Sequence, residues 1–169
     1  YILKSIDIQK KLIGIKNIEY TSRLIDYANV QNAKGLLSKE IEIYNKILDI
    51  YKQIDYKGQQ LGDVLNNLGL AYYDLGKYKN AEKYAKKVLK IQEKSLPKNH
   101  YNFGTTYGLL ATIKELQDDF KKSEYYLVKS ANIYINSGEK DSLEASIGYQ
   151  DLGSLYSSKS SRALQKPVS

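Results

Sequence analysis

Cysteine is absent, so the chain offers no disulfide framework, no thiolate metal site and no cysteine nucleophile, a composition that suits a reducing compartment. Imidazole is nearly as scarce: His100 is the one histidine, three residues after Pro97 in a predicted loop. No apolar run approaches the roughly 20 residues that cross a bilayer, and the opening Tyr1-Ile-Leu-Lys-Ser-Ile-Asp lacks the layout of a signal peptide. Membrane insertion is not expected, and the cytoplasm is the expected location. Methionine is missing as well, at position 1 as elsewhere, so the sequence reads as a portion of a longer protein. No glycine-rich phosphate loop, dinucleotide fingerprint or metal-ligand spacing is present. Glu40 and Glu42 are close acids, as are Asp118 and Asp119; both pairs are expected to be solvated, and neither has a nucleophile and base beside it. The expectation is a non-catalytic protein with no cofactor and no metal.

Charge is present in excess of one sign. The net value is +7, from 26 Lys and Arg against 19 Asp and Glu. Such a balance can mark a nucleic-acid or acidic-membrane partner, but diffuse basicity says less than a stripe of Lys and Arg. The chain is rich in Lys, Ile, Tyr and Asn throughout, a bias that AT-rich coding produces whether or not a partner is acidic. Nucleic-acid binding is therefore the disfavoured reading.

What the sequence does contain is an echo. Val64-Leu-Asn-Asn-Leu68-Gly69-Leu-Ala-Tyr72 returns without gaps as Thr106-Tyr-Gly-Leu-Leu110-Ala111-Thr-Ile-Lys114 and again as Gly148-Tyr-Gln-Asp-Leu152-Gly153-Ser-Leu-Tyr156, a period of 42 residues. Self-similarity at such a period means stacked copies of one unit, because a lone helix pair cannot bury its apolar face. Leu65, Leu68, Gly69 and Tyr72 fall at i, i+3, i+4 and i+7, the stripe of a helix buried on one side, here termed helix A. Gly76 breaks the pattern. From Tyr78 a helix B follows, with Ala81, Tyr84, Ala85, Val88, Leu89 and Ile91 at helical spacings, and it stops before Pro97.

The next copy predicts helix A over 101–116 and helix B over 120–136, with Asp119 as N-cap and a connection at Ser137-Gly138-Glu-Lys140. Upstream the register shifts by one residue: Leu24, Tyr27, Ala28 and Gln31 form the A stripe, Gly35 the turn, and Ile43, Tyr44, Ile47, Leu48 and Ile50 the B helix. The expected organisation is a B helix at 1–13, repeats at 21–54, 61–96 and 101–136, an A helix at 142–158 and a polar tail at 159–169, forming one array. The fold expected is all-α, a right-handed superhelical solenoid of antiparallel helix pairs.

The segment from Leu65 to Tyr84, with Leu68-Gly69, Tyr72, Gly76, Tyr78, Ala81 and Tyr84 at its fixed offsets, resembles a tetratricopeptide repeat. The 42-residue spacing and Ile91-Gln-Glu-Lys-Ser-Leu-Pro97 resemble the kinesin-light-chain type of that repeat. Gln31, Lys114, Asp118, Ser123 and Ser160 depart from the family's Tyr, Tyr, Gly, Ala and Gly. The resemblance implies a protein-binding scaffold whose A helices line a concave groove. Carried over by register, the groove residues are Ile25, Asn29 and Asn32; Asn66, Leu70, Tyr73 and Asp74, with Asn67 at the margin; Thr105, Gly108, Thr112 and Glu115; and Gln150 and Ser154. Asparagine suits such a role because one amide offers both a donor and an acceptor to a peptide group.

The A helices carry few basic residues, whereas helix B of the clearest copy holds Lys79, Lys83, Lys86, Lys87, Lys90 and Lys94. The expected ligand is accordingly a protein or extended peptide of neutral to basic charge. Tyr72, Tyr84, Tyr107 and Tyr149 are expected in the core, and uncovered apolar faces at the array ends are expected to favour self-association. The alternative class is a regulatory or sensor segment of a larger signalling enzyme or transcriptional regulator.

Overall fold

The computed structural model describes residues 1–14, 17–137 and 143–164. Among them are eight α-helices and no strand: α1 Ile2–Ile13, α2 Ile18–Ala33, α3 Leu37–Gln53, α4 Gln60–Asp74, α5 Tyr78–Ser95, α6 Tyr101–Glu115, α7 Phe120–Ser137 and α8 Leu143–Leu164. The chain divides into two compact units, Tyr1–Val88 and Leu89–Ser169.

In the first unit α1 packs on α2, α2 on α3 and α3 on α4. Tyr20, Tyr44, Tyr51, Ile47 and Leu68 are completely enclosed there, and burying a side chain such as Leu68 is worth about 2–3 kcal/mol over leaving it in water. Gly69 sets how near α4 comes to the next helix. A Cβ on it would lie 3.5 Å from the Cβ of Tyr84 and 3.8 Å from the carbonyl oxygen of Ala81, so a methyl would just fit and a side chain reaching beyond it would push α5 away. At that spacing the rings of Tyr72 and Tyr84 stack with centroids 5.5 Å apart.

In the second unit α6 packs on α7 and α7 on α8 around Leu110, Ile113 and Ala131. The Ser130 hydroxyl donates to the Gly104 carbonyl at 2.8 Å, tying α7 to α6. The last turn of α5 is tied to α6 by Gln92, whose amide donates to Thr106 Oγ1 at 2.9 Å. Lys114 stands where the repeat pattern has tyrosine. Its stem is buried and its ammonium donates to Gln117 Oε1 at 2.9 Å, so it fills an apolar position while keeping its head satisfied.

The turns between A and B helices are built alike. Gly35 and Gly76 adopt φ of 70° and 72°, and the next residue's N–H bonds back to the helix, Leu36 to Gln31 at 2.9 Å and Lys77 to Tyr72 at 2.8 Å. Such a left-handed closure satisfies carbonyls that the helix end leaves free. The third turn repeats the bonding with a non-glycine residue: Asp118 sits at φ 57° and Asp119 N–H bonds to Lys114 O at 2.9 Å. Asp119 then caps α7 as expected, accepting from Lys122 N–H at 3.3 Å.

Three expectations need correction or comment. Tyr149 is not a core residue; it is 52% exposed, because among the described residues no helix covers that side of α8 as α5 covers the matching side of α4. Helix α8 does not stop at residue 158 but continues to Leu164, since Ser160 occupies the place of the turn glycine and gives the chain no residue suited to a left-handed break. The connection expected at Gly138 lies outside the described residues.

Asp118→Gly relieves an L-residue held at positive φ and is expected to raise stability by about 0.5–1 kcal/mol, whereas Gly76→Ala imposes that strain and is expected to cost about 1 kcal/mol. Urea unfolding followed by circular dichroism checks both; equal midpoints for the three proteins would refute the turn argument.

Candidate functional site

The sequence-derived site residues fall on the A helices of both units, and each unit is described on its own terms. In the first, α2 contributes half-buried Ile25 and exposed Asn29 and Asn32, while α4 contributes half-buried Asn66, Asn67 and Tyr73 and exposed Leu70 and Asp74. Tyr73 lies against Tyr78, ring centroids 6.0 Å apart. Three of the asparagines are not independent surface groups. Asn29 Oδ1 accepts from the Tyr44 hydroxyl at 3.0 Å, and the same hydroxyl accepts from Asn67 Nδ2 at 3.2 Å. Asn32 Nδ2 donates to Glu40 Oε2 at 2.9 Å.

Helix α3 thus reaches the site from beneath with Glu40 and Tyr44, one turn apart. Neither was expected there, and for Glu40 the expectation was wrong. Its neighbour Glu42 is exposed, but Glu40 is only 3% exposed. The signal lay in the repeat alignment: with the 41-residue offset of this copy, Glu40 takes the slot of Ala81, the small residue that faces helix A. Loss of hydration raises the Glu40 pKa above the ordinary carboxylate range; the Asn32 bond opposes the rise and the charge of Asp74 adds to it. Burial likewise raises the pKa of Tyr44. The result is a polar cluster joining Asn29, Asn32, Asn67, Asp74, Glu40 and Tyr44, with Leu70 exposed on the same helix as Asn67.

In the second unit Thr105 is exposed and shares a 3.1 Å hydrogen bond with the Tyr134 hydroxyl. Gly108 is half-buried, and a Cβ there would lie 3.5 Å from Ser130 Oγ, so its smallness serves the approach of α7. Thr112 bonds back to its own helix at Gly108 O, 3.2 Å away. Glu115, Gln150 and Ser154 are exposed. No cluster comparable to that around Tyr44 joins the named residues of α6 and α8 among the described residues.

The lysines of α5 are exposed, Lys79, Lys83, Lys86, Lys87, Lys90 and Lys94 alike. Lys46, Lys87 and Lys129 occupy one position in successive copies, and each ammonium meets tyrosine: Lys46 donates to the Tyr20 hydroxyl at 3.2 Å, Lys87 lies over Tyr84 at 5.0 Å, and Lys129 lies over Tyr107 at 5.3 Å and Tyr125 at 5.0 Å. Among the described residues no three His, Asp or Glu side chains gather as metal ligands, and no helix is long and apolar enough to cross a membrane.

These features define the class, an all-α stack of helix pairs closed by left-handed turns and held by small-residue crossings. Residues 60–136 match the tetratricopeptide repeat family model. The fold of the chain as a whole is that of solved arrays of such repeats. The nearly identical TPR-like repeats of a Podosopora anserina protein described as a kinesin light chain superpose with a TM-score of 0.80 at 16% identity, over 96% of this chain and 77% of that one. A substituted form of the same protein gives 0.81. BtubC (BKLC) from P. vanneervenii gives 0.72 at 18% identity, over 94% of this chain and 64% of that one. No curated protein matches the chain. Tetratricopeptide repeats serve in general as protein–protein interaction scaffolds and are typically non-catalytic.

An acid whose pKa rises on folding is bound to its proton more tightly in the folded state, so stability is greatest below the unfolded pKa and declines as pH rises through the folded one. Glu40→Gln keeps an acceptor for Asn32 and removes the charge. It is expected to melt at a higher temperature than the parent near neutral pH, with the difference shrinking as the solution is acidified through the carboxylate range. A difference independent of pH, or a variant less stable at neutral pH, would contradict the burial of an ionised Glu40.

Proposed function

We propose that the chain is a non-catalytic scaffold that binds a protein segment or extended peptide of neutral to basic charge on the faces of its A helices. The observation that carries the reading is the cluster on α2 and α4, where Asn29, Asn32 and Asn67 stand at the surface braced by Glu40 and Tyr44. Braced amides lose little rotamer freedom on binding, and each offers hydrogen bonds to a peptide main chain whatever its side chains. Leu70, 39% exposed, and half-buried Tyr73 supply apolar contact area beside them. Asp74 and Glu40 disfavour an acidic ligand by like-charge repulsion.

A second surface supports self-association. Gly153 is the repeat counterpart of Gly69, yet a Cβ on it would meet nothing within 4 Å, and Tyr149 and Tyr156 beside it are 52% and 65% exposed. The same stripe on α4 is covered by α5. Helix α1 exposes Leu3 and Ile8. Apolar faces of this kind commonly join copies of a chain.

On a peptide array, binding is expected to favour neutral and basic sequences, to fall about tenfold with Asn29→Ala or Tyr73→Ala, and to relax toward acidic peptides with Asp74→Asn; a preference for acidic peptides in the parent would refute the reading. For self-association, light scattering is expected to give a mass that grows with concentration and returns to that of one chain in Tyr149→Lys, Tyr156→Lys. A single-chain mass at every concentration would refute it.

A further inference from the structure

Tyr44 is fully enclosed except for what its hydroxyl touches, and that hydroxyl stands between two asparagines from different A helices. It donates to Asn29 Oδ1 at 3.0 Å and accepts from Asn67 Nδ2 at 3.2 Å. A phenol carries one proton, and burial keeps that proton in place by raising its pKa. This links the orientations of the two amides. If both turned their carbonyls to Tyr44, two acceptors would face one proton; if both turned their NH2 groups to it, the hydroxyl proton would be stranded in a buried position. One asparagine must therefore turn its carbonyl inward and the other its NH2. Their outward poles are opposite: Asn29 offers Nδ2 as donor, Asn67 offers Oδ1 as acceptor.

We propose that Tyr44 is a positioning residue that fixes Asn29 and Asn67 as a matched pair, one receiving a main-chain carbonyl and the other a main-chain N–H of an extended peptide. The inference rests on the peptide-binding reading and goes beyond it by assigning the recognition of the main chain to a side chain that never touches the ligand. Because both contacts go to the main chain, the pair contributes affinity without selecting side chains.

The test uses short linear peptides selected from a random library on the whole chain, with backbone N-methylated analogues of the best binder. Tyr44→Phe preserves the ring and is expected to melt close to the parent while weakening that peptide about tenfold. Asn29→Ala added to Tyr44→Phe is expected to cost far less than Asn29→Ala alone, the signature of coupled groups. One N-methyl position is expected to weaken binding to the parent and to leave binding to Tyr44→Phe unchanged. Parent-like affinity of Tyr44→Phe, together with losses for Asn29→Ala and Asn67→Ala, overturns the positioning role and leaves the peptide-binding reading standing. Affinity indifferent to all three substitutions overturns both.

The ligand-free protein supplies an independent readout. In the parent, side-chain amide resonances of Asn67 are expected to show one proton protected from exchange by its bond to Tyr44, a protection lost in Tyr44→Phe. If neither asparagine shows it in the parent, the proposal is overturned whether or not a peptide has been found.

Discussion

The crossing of helix A over helix B at a pair of small residues is the constraint from which the rest of the structure follows. At Gly69 and Ala81 it brings α4 and α5 close enough that Tyr72 and Tyr84 stack and Leu68 is enclosed from every side. Dense packing of this kind does not deform continuously, so the crossing accepts only small side chains. The next copy places buried Ala111 and Ser123 at the corresponding positions. The turn glycines serve the same end, reversing the chain quickly enough for helix B to begin beside helix A.

The first full repeat keeps this crossing and breaks its rule. Ala28, completely buried, supplies the small residue of helix A, but its counterpart on helix B is Glu40. A carboxylate cannot remain at a tight apolar crossing without partners, so its side chain runs to the margin of the interface, where Asn32 donates to it. Burial makes its ionisation costly, and the charge of Asp74 adds to the cost. Local rules broken at a cost to stability are often where function resides, and the substitution in the Ala slot is what places a buried carboxyl of the B helix against Asn32 of the A helix.

Periodicity alone made most of the architecture legible. A stripe at helical spacing, a glycine at a fixed offset and a second stripe place the helices from α2 to α7 and their turns, because each signal is local and repeated. The site was legible only in part. Register assigns Asn29, Asn32, Asn67 and Asp74 to exposed or half-buried faces, yet says nothing of the hydrogen bonds that tie the three asparagines to Glu40 and Tyr44, or of the charge of Asp74 acting on Glu40, from a helix assigned wholly to packing. Glu40 read as a solvated acid because its neighbour Glu42 drew attention to the pair; aligning it with Ala81 would have placed it inside. Tyr149 failed for the opposite reason. Its position in the repeat is a core position, but burial belongs to the neighbour that covers a face, and a sequence pattern records only the face.

The lysine excess also takes on a different meaning in the structure. Lys46, Lys87 and Lys129 recur at one place in the repeat and each meets tyrosine: Lys46 donates to the Tyr20 hydroxyl, and the ammonium groups of Lys87 and Lys129 lie over rings. Tyr125 above all holds the Lys129 pKa above its ordinary value, so that charge is held more firmly still. Charges committed in this way stabilise the B helices of a protein unusually rich in tyrosine, and they are less available to counterions or phosphates than lone surface lysines. The acids, by contrast, gather on the other side of the pairing: Asp74 on α4 and Glu40 beneath it have no described ion pair with lysine. Net charge and local charge therefore have opposite signs at the cluster, and under the proposed function a ligand at the asparagines would meet the local one, because at physiological ionic strength fields decay over about 8 Å.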